Sequence, residues 1–364
     1  MIKKVAKATF LQKSSVLEES IFTIWYFQCS KTMTVKETFQ RLKKYTLFIS
    51  LITGTLIFCA FHFLSFLNPL KPAVHAFTHF SLPVLIFLIL FFSYCKINIS
   101  QMKPKWWDLE LVAFQVLVSL AAGLYLFYNP QSSAVVEIEG FIVCISTPTA
   151  AAAAAITGKL GGNISAVTTY TILSNFAAAL SIPLIFPLFS SSLDGSFVYQ
   201  FFMLLNKIFL MIVLPLFAAL FVKFFLKRIH HFIITRLSEA SFYLWAFNLI
   251  VVFGQAISNF VNSSESSATL WILALIGLFC TIIQFGIGKL CGQFEKQRIS
   301  AGQGLGQKNM VFGLWVALTY LSPSAAIAPG CYIFWQNIVN AAQLWWRERY
   351  LAKAKESGRK IYQE

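Results

Sequence analysis

Ten stretches of this chain run for about 20 residues or more with very little charge, the length a helix needs to cross a ~30 Å hydrocarbon core. They lie near 45–66, 74–95, 108–128, 136–158, 164–189, 197–222, 237–261, 268–288, 300–320 and 325–346. No soluble fold of this length could bury so many apolar segments. Only 12% of the residues are charged and 57% are apolar, with 38 phenylalanines and a mean hydropathy of +0.69; ordinary soluble domains carry about 25% charged residues. The expectation is an all-α, polytopic membrane protein of ten transmembrane helices.

The basic residues test that layout. All but three of the 29 Lys and Arg fall in the two tails or in alternate linkers, the pattern of cytoplasmic loops. The exceptions are Lys71 in an opposite linker, and Lys207 and Lys308 inside spans. A wrong span count would scramble the alternation from the error onward. Both termini are therefore expected in the cytoplasm of a multi-pass protein of the cell membrane (the inner membrane in a bacterium). The net charge of +15 does not point to nucleic acid, because its Lys and Arg are not gathered on one folded face. Aromatic pairs at span borders, Trp106-Trp107 and Trp345-Trp346, suit the headgroup layer.

Residues 1–44 are polar and basic and lack an apolar core, so no cleavable signal peptide is expected. Residues 1–32, which precede Met33, read as a dispensable tail. Seven scattered cysteines contain no CxxC pair and indicate neither a disulfide framework nor a zinc site. The five histidines form no HExxH and no paired-carboxylate arrangement, so no enzyme is expected.

Two spans are irregular. The fourth carries Thr147-Pro148-Thr149, then alanines from Ala150 to Ala155, and ends on Gly158, Gly161, Gly162 and Asn163. Pro148 removes a backbone donor and clashes with the preceding turn, and the alanines let another backbone approach. The ninth carries Gly302-Gln303-Gly304-Leu305-Gly306-Gln307-Lys308-Asn309, in which the alternating glycines predict broken helix. Non-helical backbone at membrane depth is tolerated only where protein or a watery cavity surrounds it. The two segments hold the fourth place in successive sets of five spans. Since an odd number of spans inverts the second set, the expectation is two inverted repeats, 45–194 and 195–346, with basic cytoplasmic tails at 1–44 and 347–364. Paired interrupted helices in inverted repeats point to a transporter's binding site.

At these segments the chain resembles the bile acid:sodium symporter superfamily (BASS transporters), from about Leu51 to Trp346. The resemblance rests on Pro148 with its small-residue run, Gly161-Gly162-Asn163, Gly306-Gln307, Pro329-Gly330 and Trp335-Gln336-Asn337. It implies a core of spans three to five and eight to ten against a panel of spans one, two, six and seven. Helices four and nine would cross at their breaks, and an organic anion would bind between panel and core. The chain departs from the sodium-coupled pattern. A Ser-Asn pair is replaced by Ala153-Ala154, a carboxylate by Gln303, and an Asn after Gln307 by Lys308, with Asn309 one step on. Sodium wants hard oxygen ligands, so coupling through the family's sodium sites is not expected.

A lysine at mid-membrane is costly and defaults to a functional hypothesis. Lys308 is read as standing in for a cation and attracting an anionic substrate. The expected substrate and ion pathway comprises Thr147, Pro148, Thr149, Asn163, Thr168, Thr171, Gln303, Gln307, Lys308, Asn309 and Asn337. Ser174, Asn175, Gln336 and Asn340 serve equally as pathway or as glue between helices. The expected activity is secondary active transport of a small organic anion by alternating access. The expected partners are that anion and the lipid bilayer, with no nucleic acid; no metal site or cofactor is indicated, sodium being the one ion left open. The alternatives are a sodium- or proton-coupled carrier of another solute and a non-transporting sensor on the same fold. Substrate identity, direction and oligomeric state are not legible.

Overall fold

The computed structural model describes residues 46–190, 195–357 and 363–364, so the expected tail at 1–44 lies outside the described residues. Its helices are α1 (Thr46–Phe63), α2 (Lys71–Tyr94), α3 (Trp106–Tyr128), α4 (Val135–Ser146), α5 (Ala152–Leu160), α6 (Ile164–Ile185) and α7 (Phe197–Ile208), followed by α8 (Leu214–Phe225), α9 (Lys227–Arg236), α10 (Ala240–Val261), α11 (Ser267–Phe294), α12 (Arg298–Gly306), α13 (Met310–Tyr320) and α14 (Ile327–Ser357). Among the described residues the only β-type pairing is one antiparallel bridge, between Thr149 and Lys308.

Among the described residues, six helical stretches are long and apolar enough to cross a membrane: Ser65–Tyr94, Trp106–Tyr128, Ile164–Leu188, Phe197–Phe225, Ala240–Val261 and Ser267–Phe294. The segments expected as spans four and nine fall short for a physical reason. Each is split, into α4 and α5 (12 and 9 residues) and into α12 and α13 (9 and 11 residues). At about 1.5 Å per residue, no half reaches across a bilayer alone. Hydropathy missed α9, which forms from the basic linker Lys227–Arg236. Likewise α14 runs past the apolar stretch to Ser357, because its last turns are built of Ala, Glu, Lys and Arg, all good helix formers.

The first interruption sits where Pro148 requires it. The second corrects an expectation: Gly302, Gly304 and Gly306 are helical, and the break falls after them, at Gln307–Asn309. Packing overrides the weak propensity of these glycines. A Cβ on Gly302 would lie 2.7 Å from Lys289 Cγ, one on Gly304 2.8 Å from Tyr170 Cδ1, and one on Gly306 closer still to Phe285 Cγ. The glycines therefore admit neighbours rather than unwind the helix. At the end of α5, Gly161 takes a left-handed φ of +86° and the Arg347 side chain fills the space beside it, a cap that glycine makes without steric cost.

Residues 50–364 cluster as one unit. Within it α3 packs on α4 and α6, and α11 packs on α12, α14 and α4, while α2 packs on α8 and α10. Buried Trp107, Leu111, Ala166, Tyr170, Ala301 and Leu305 join α3, α6 and α12 in one apolar cluster. These helices surround both breaks.

Candidate functional site

The two interruptions meet. Ala150 N donates to Gln307 O (2.7 Å) and Asn309 N donates to Pro148 O (2.8 Å), closing the bridge at Thr149 and Lys308. A helix end leaves its last carbonyls without intrahelical partners, and in an apolar interior each unpaired group costs about 1–3 kcal/mol. Here side chains satisfy them. At the end of α4, Cys144 O accepts from Gln284 Nε2 (3.1 Å), Ile145 O from Lys308 Nζ (3.2 Å) and Ser146 O from Gln115 Nε2 (2.7 Å). Near the end of α12, Gly304 O accepts from Thr149 Oγ1 (2.7 Å) and Gly306 O from Tyr332 Oη (2.8 Å).

Lys308 is 1% exposed. Its ammonium donates to Gln115 Oε1 (3.0 Å) as well as to Ile145 O, and among the described residues no carboxylate pairs with it. The compensation comes from oxygen dipoles: an amide, and the C-terminal end of α4, where the helix dipole favours positive charge. Gln115 is the hub. Its oxygen also accepts from Ser174 Oγ (3.1 Å), and Ser174 Oγ accepts from Thr149 N (3.2 Å). Lys308 N donates to Gln336 Oε1 (3.1 Å), and Gln284 Nε2 reaches Tyr332 Oη (3.2 Å). Beside this network Gln303 Nε2 donates to Asn340 Oδ1 (3.0 Å), and Asn340 Nδ2 donates to Gln307 Oε1.

The structure brings Thr147, Pro148, Thr149, Gln303, Gln307, Lys308 and Asn309 together at the breaks. Thr147 Oγ1 turns back to Val143 O (2.6 Å), and Asn309 caps α13 at Phe312 N. Others lie elsewhere. Asn163 caps α6 through Ala166 N (3.1 Å) and donates its own N–H to Ser300 Oγ (2.8 Å) at the far end of α12. Thr168, Thr171 and Asn337 bond carbonyls of their own helices, at Ile164, Val167 and Ile333. Sequence reasoning missed Gln115, Gln284 and Tyr332. The signal was an amide deep inside each of two long apolar helices, a weak mark because such amides also serve as glue.

The donor set can be weighed for sodium. Carbonyl oxygens and the Gln115 amide are suitable hard ligands, but the ammonium of Lys308 already engages two of them, and the residue in the expected carboxylate position is the amide Gln303. With Lys308 protonated, a cation at these oxygens would meet a fixed positive charge.

A family model described as the sodium bile acid symporter family matches residues 83–263, from within α2 to just beyond α10. The matched region includes the first interruption, Gln115 and Ser174. No curated protein matches the chain.

Proposed function

The chain belongs to the sodium bile acid symporter family, and from that premise we propose that it is a secondary active transporter of a small organic anion, working by alternating access, in which Lys308 stands where a coupling cation would bind. Family membership makes it a multi-pass membrane transporter and suggests sodium-coupled symport. Our reading departs from the family at the ion. The observation that carries it is the seat of the Lys308 ammonium, on Gln115 Oε1 and Ile145 O at a helix C-terminus, the position where a bound cation would offset the same partial charges.

In this reading the two interrupted elements are the fourth and ninth of ten spans, related as inverted repeats. The bundle of α3–α6 and α11–α14 is the core, and α1, α2, α7, α8 and α10 are the panel. Thr147, Pro148, Thr149, Gln303, Gln307, Lys308 and Asn309 belong to the substrate and ion pathway at the crossing. Asn163, Thr168, Thr171 and Asn337 flank it on elements that would move with the core. A positive charge fixed at the crossing would hold the two breaks together in every state of the cycle and favour an anion in the cleft beside it.

Counterflow tests the transport claim. Proteoliposomes loaded with an unlabelled organic anion should transiently accumulate the labelled anion from outside. Binding of the anion without such exchange would identify a sensor on this fold, and the transporter reading would fall.

A further inference from the structure

Helix α9 is basic, and nothing at the crossing uses it. It begins at Lys227, just past the membrane-crossing stretch Phe197–Phe225, and ends at Arg236, just before the next, Ala240–Val261. Those two spans hold it at the bilayer surface, on the side that the distribution of Lys and Arg assigns to the cytoplasm. Three hydrogen bonds fix its seat. His230 Nε2 donates to Cys95 O (2.8 Å) and Lys223 Nζ donates to Ile97 O (2.6 Å), both just past the end of α2. In return Lys96 Nζ donates to Ser238 O (2.5 Å), beyond the end of α9. Cys95 O is one of the carbonyls that a helix end leaves without an intrahelical partner. The helix is thus pinned to α2.

At a period of 3.6 residues α9 has three faces. Ile233 is buried and His230 half-buried, on the side that meets the protein. Ile229 and Phe232, on a second face, are 50% and 54% exposed. They continue the exposed apolar surface of Phe224 and Phe225 at the end of α8. Lys227, Arg228 and His231 form the third face, and all three are exposed. Among the described residues no carboxylate pairs with the lysine or the arginine, and the sequence from Leu214 to Ser238 contains no Asp or Glu. Arg236 lies beside the apolar pair, with a stem long enough to carry its charge out to the headgroups. A helix with one basic and one apolar face, lying between two spans, suits the interface of an anionic leaflet.

We propose that α9 is a binding site for anionic phospholipid, with Ile229 and Phe232 set into the upper acyl region and Lys227, Arg228 and His231 receiving the phosphate headgroup. Charge selects the lipid: two fixed cations and no neighbouring acid favour a net negative headgroup over a zwitterionic one, by about fivefold for each Lys or Arg at the surface. The apolar pair selects a lipid over an acidic protein segment, because Ile229 and Phe232 prolong the lipid-facing surface of a span. The bonds from His230 and Lys223 then pass the hold of the headgroup to α2, so that the lipid steadies α2, α8 and α10 together. The inference goes beyond the transporter reading and does not depend on it.

The test uses the full-length protein and two probes. In bilayers of brominated phosphatidylcholine, Phe232→Trp should show quenched fluorescence above the background of the wild type. In phosphatidylcholine–detergent micelles, added phosphatidylglycerol should raise the melting temperature of the wild type. The midpoint of that titration should move to about fivefold higher phosphatidylglycerol in Lys227→Gln and again in Arg228→Gln, while Arg228→Lys keeps the wild-type midpoint. High salt should abolish the preference for phosphatidylglycerol, because it screens the headgroup charge, and leave the quenching intact. An unquenched Phe232→Trp would place α9 in water or under a protein partner and overturn the site. Equal midpoints in the wild type and the Gln variants would overturn it as well. So would equal stabilisation by soluble glycerol 3-phosphate, since the ligand would then be an anion and not a lipid. None of these readouts needs transport, so a failed counterflow experiment leaves the site standing.

Discussion

An ammonium survives at 1% exposure beside Pro148 and Gln307 because every oxygen it touches is a dipole already in need of a donor. Lys308 neutralises the end of α4 at the position where a free cation would otherwise be attracted. Removing it leaves Ile145 O without its side-chain donor and Gln115 Oε1 with Ser174 alone. Lys308→Ala should therefore lower the melting temperature, at a cost of about 1–3 kcal/mol for each group left unpaired. It should also open a space lined by hard oxygens. Millimolar sodium should then raise the melting temperature of Lys308→Ala and leave the wild type unmoved, since a ligand stabilises only a protein that has a site for it. Equal sodium effects on both proteins would argue against the stand-in role. The sequence reveals Lys308 because a charge in an apolar run is conspicuous. Gln115 escapes notice, although it is the hub of the network, because one amide in α3 has the same appearance whether it is structural or functional.

At the scale of elements, the breaks are held by close approach as much as by hydrogen bonds. On α11, a Cβ at Gly288 would fall 2.8 Å from Gly302 Cα and closer still to Ala301 O, both backbone atoms of α12 that no rotamer change can move. Gly286, two residues earlier, has nothing within 4 Å of such a Cβ. Gly288→Ala should push α12 away from α11 and destabilise the protein by about 1–3 kcal/mol. Gly286→Ala should stay within about 0.5 kcal/mol of the wild type, or gain slightly from helix propensity. Thermal denaturation of the two variants in detergent decides the matter; similar melting points would mean that the packing of α12 is not what fixes the second break. Close approach also explains why the second break lies beyond the place the glycines predict. Alternating glycines predict unwinding by propensity, but Gly302 and Gly304 face Lys289 and Tyr170 at distances only glycine tolerates, and that information lies in the fold rather than in the local sequence. Pro148, by contrast, acts on its own backbone, so its break was legible.

Across the whole molecule, six of the apolar stretches became helices long and apolar enough to cross a membrane among the described residues, while the stretches at α1 and α14 are not among those six and α14 runs on to Ser357. The interrupted pair departs furthest from the expectation, because continuous hydropathy conceals a break inside it. What hydropathy could not supply was the meeting of segments more than 150 residues apart, in which Thr149 and Lys308 form their bridge. The carrier proposed here follows from that meeting: a fixed cation at the crossing, a cleft beside it, and an exchange that needs no second ion to complete the site. The direct measurement is uptake, in proteoliposomes, of the anion that gives counterflow, with sodium outside replaced by choline. The account predicts the same rate in either salt for the wild type, and little transport by Lys308→Ala in choline, with sodium restoring part of it. Uptake by the wild type that collapses when sodium is withdrawn would contradict it.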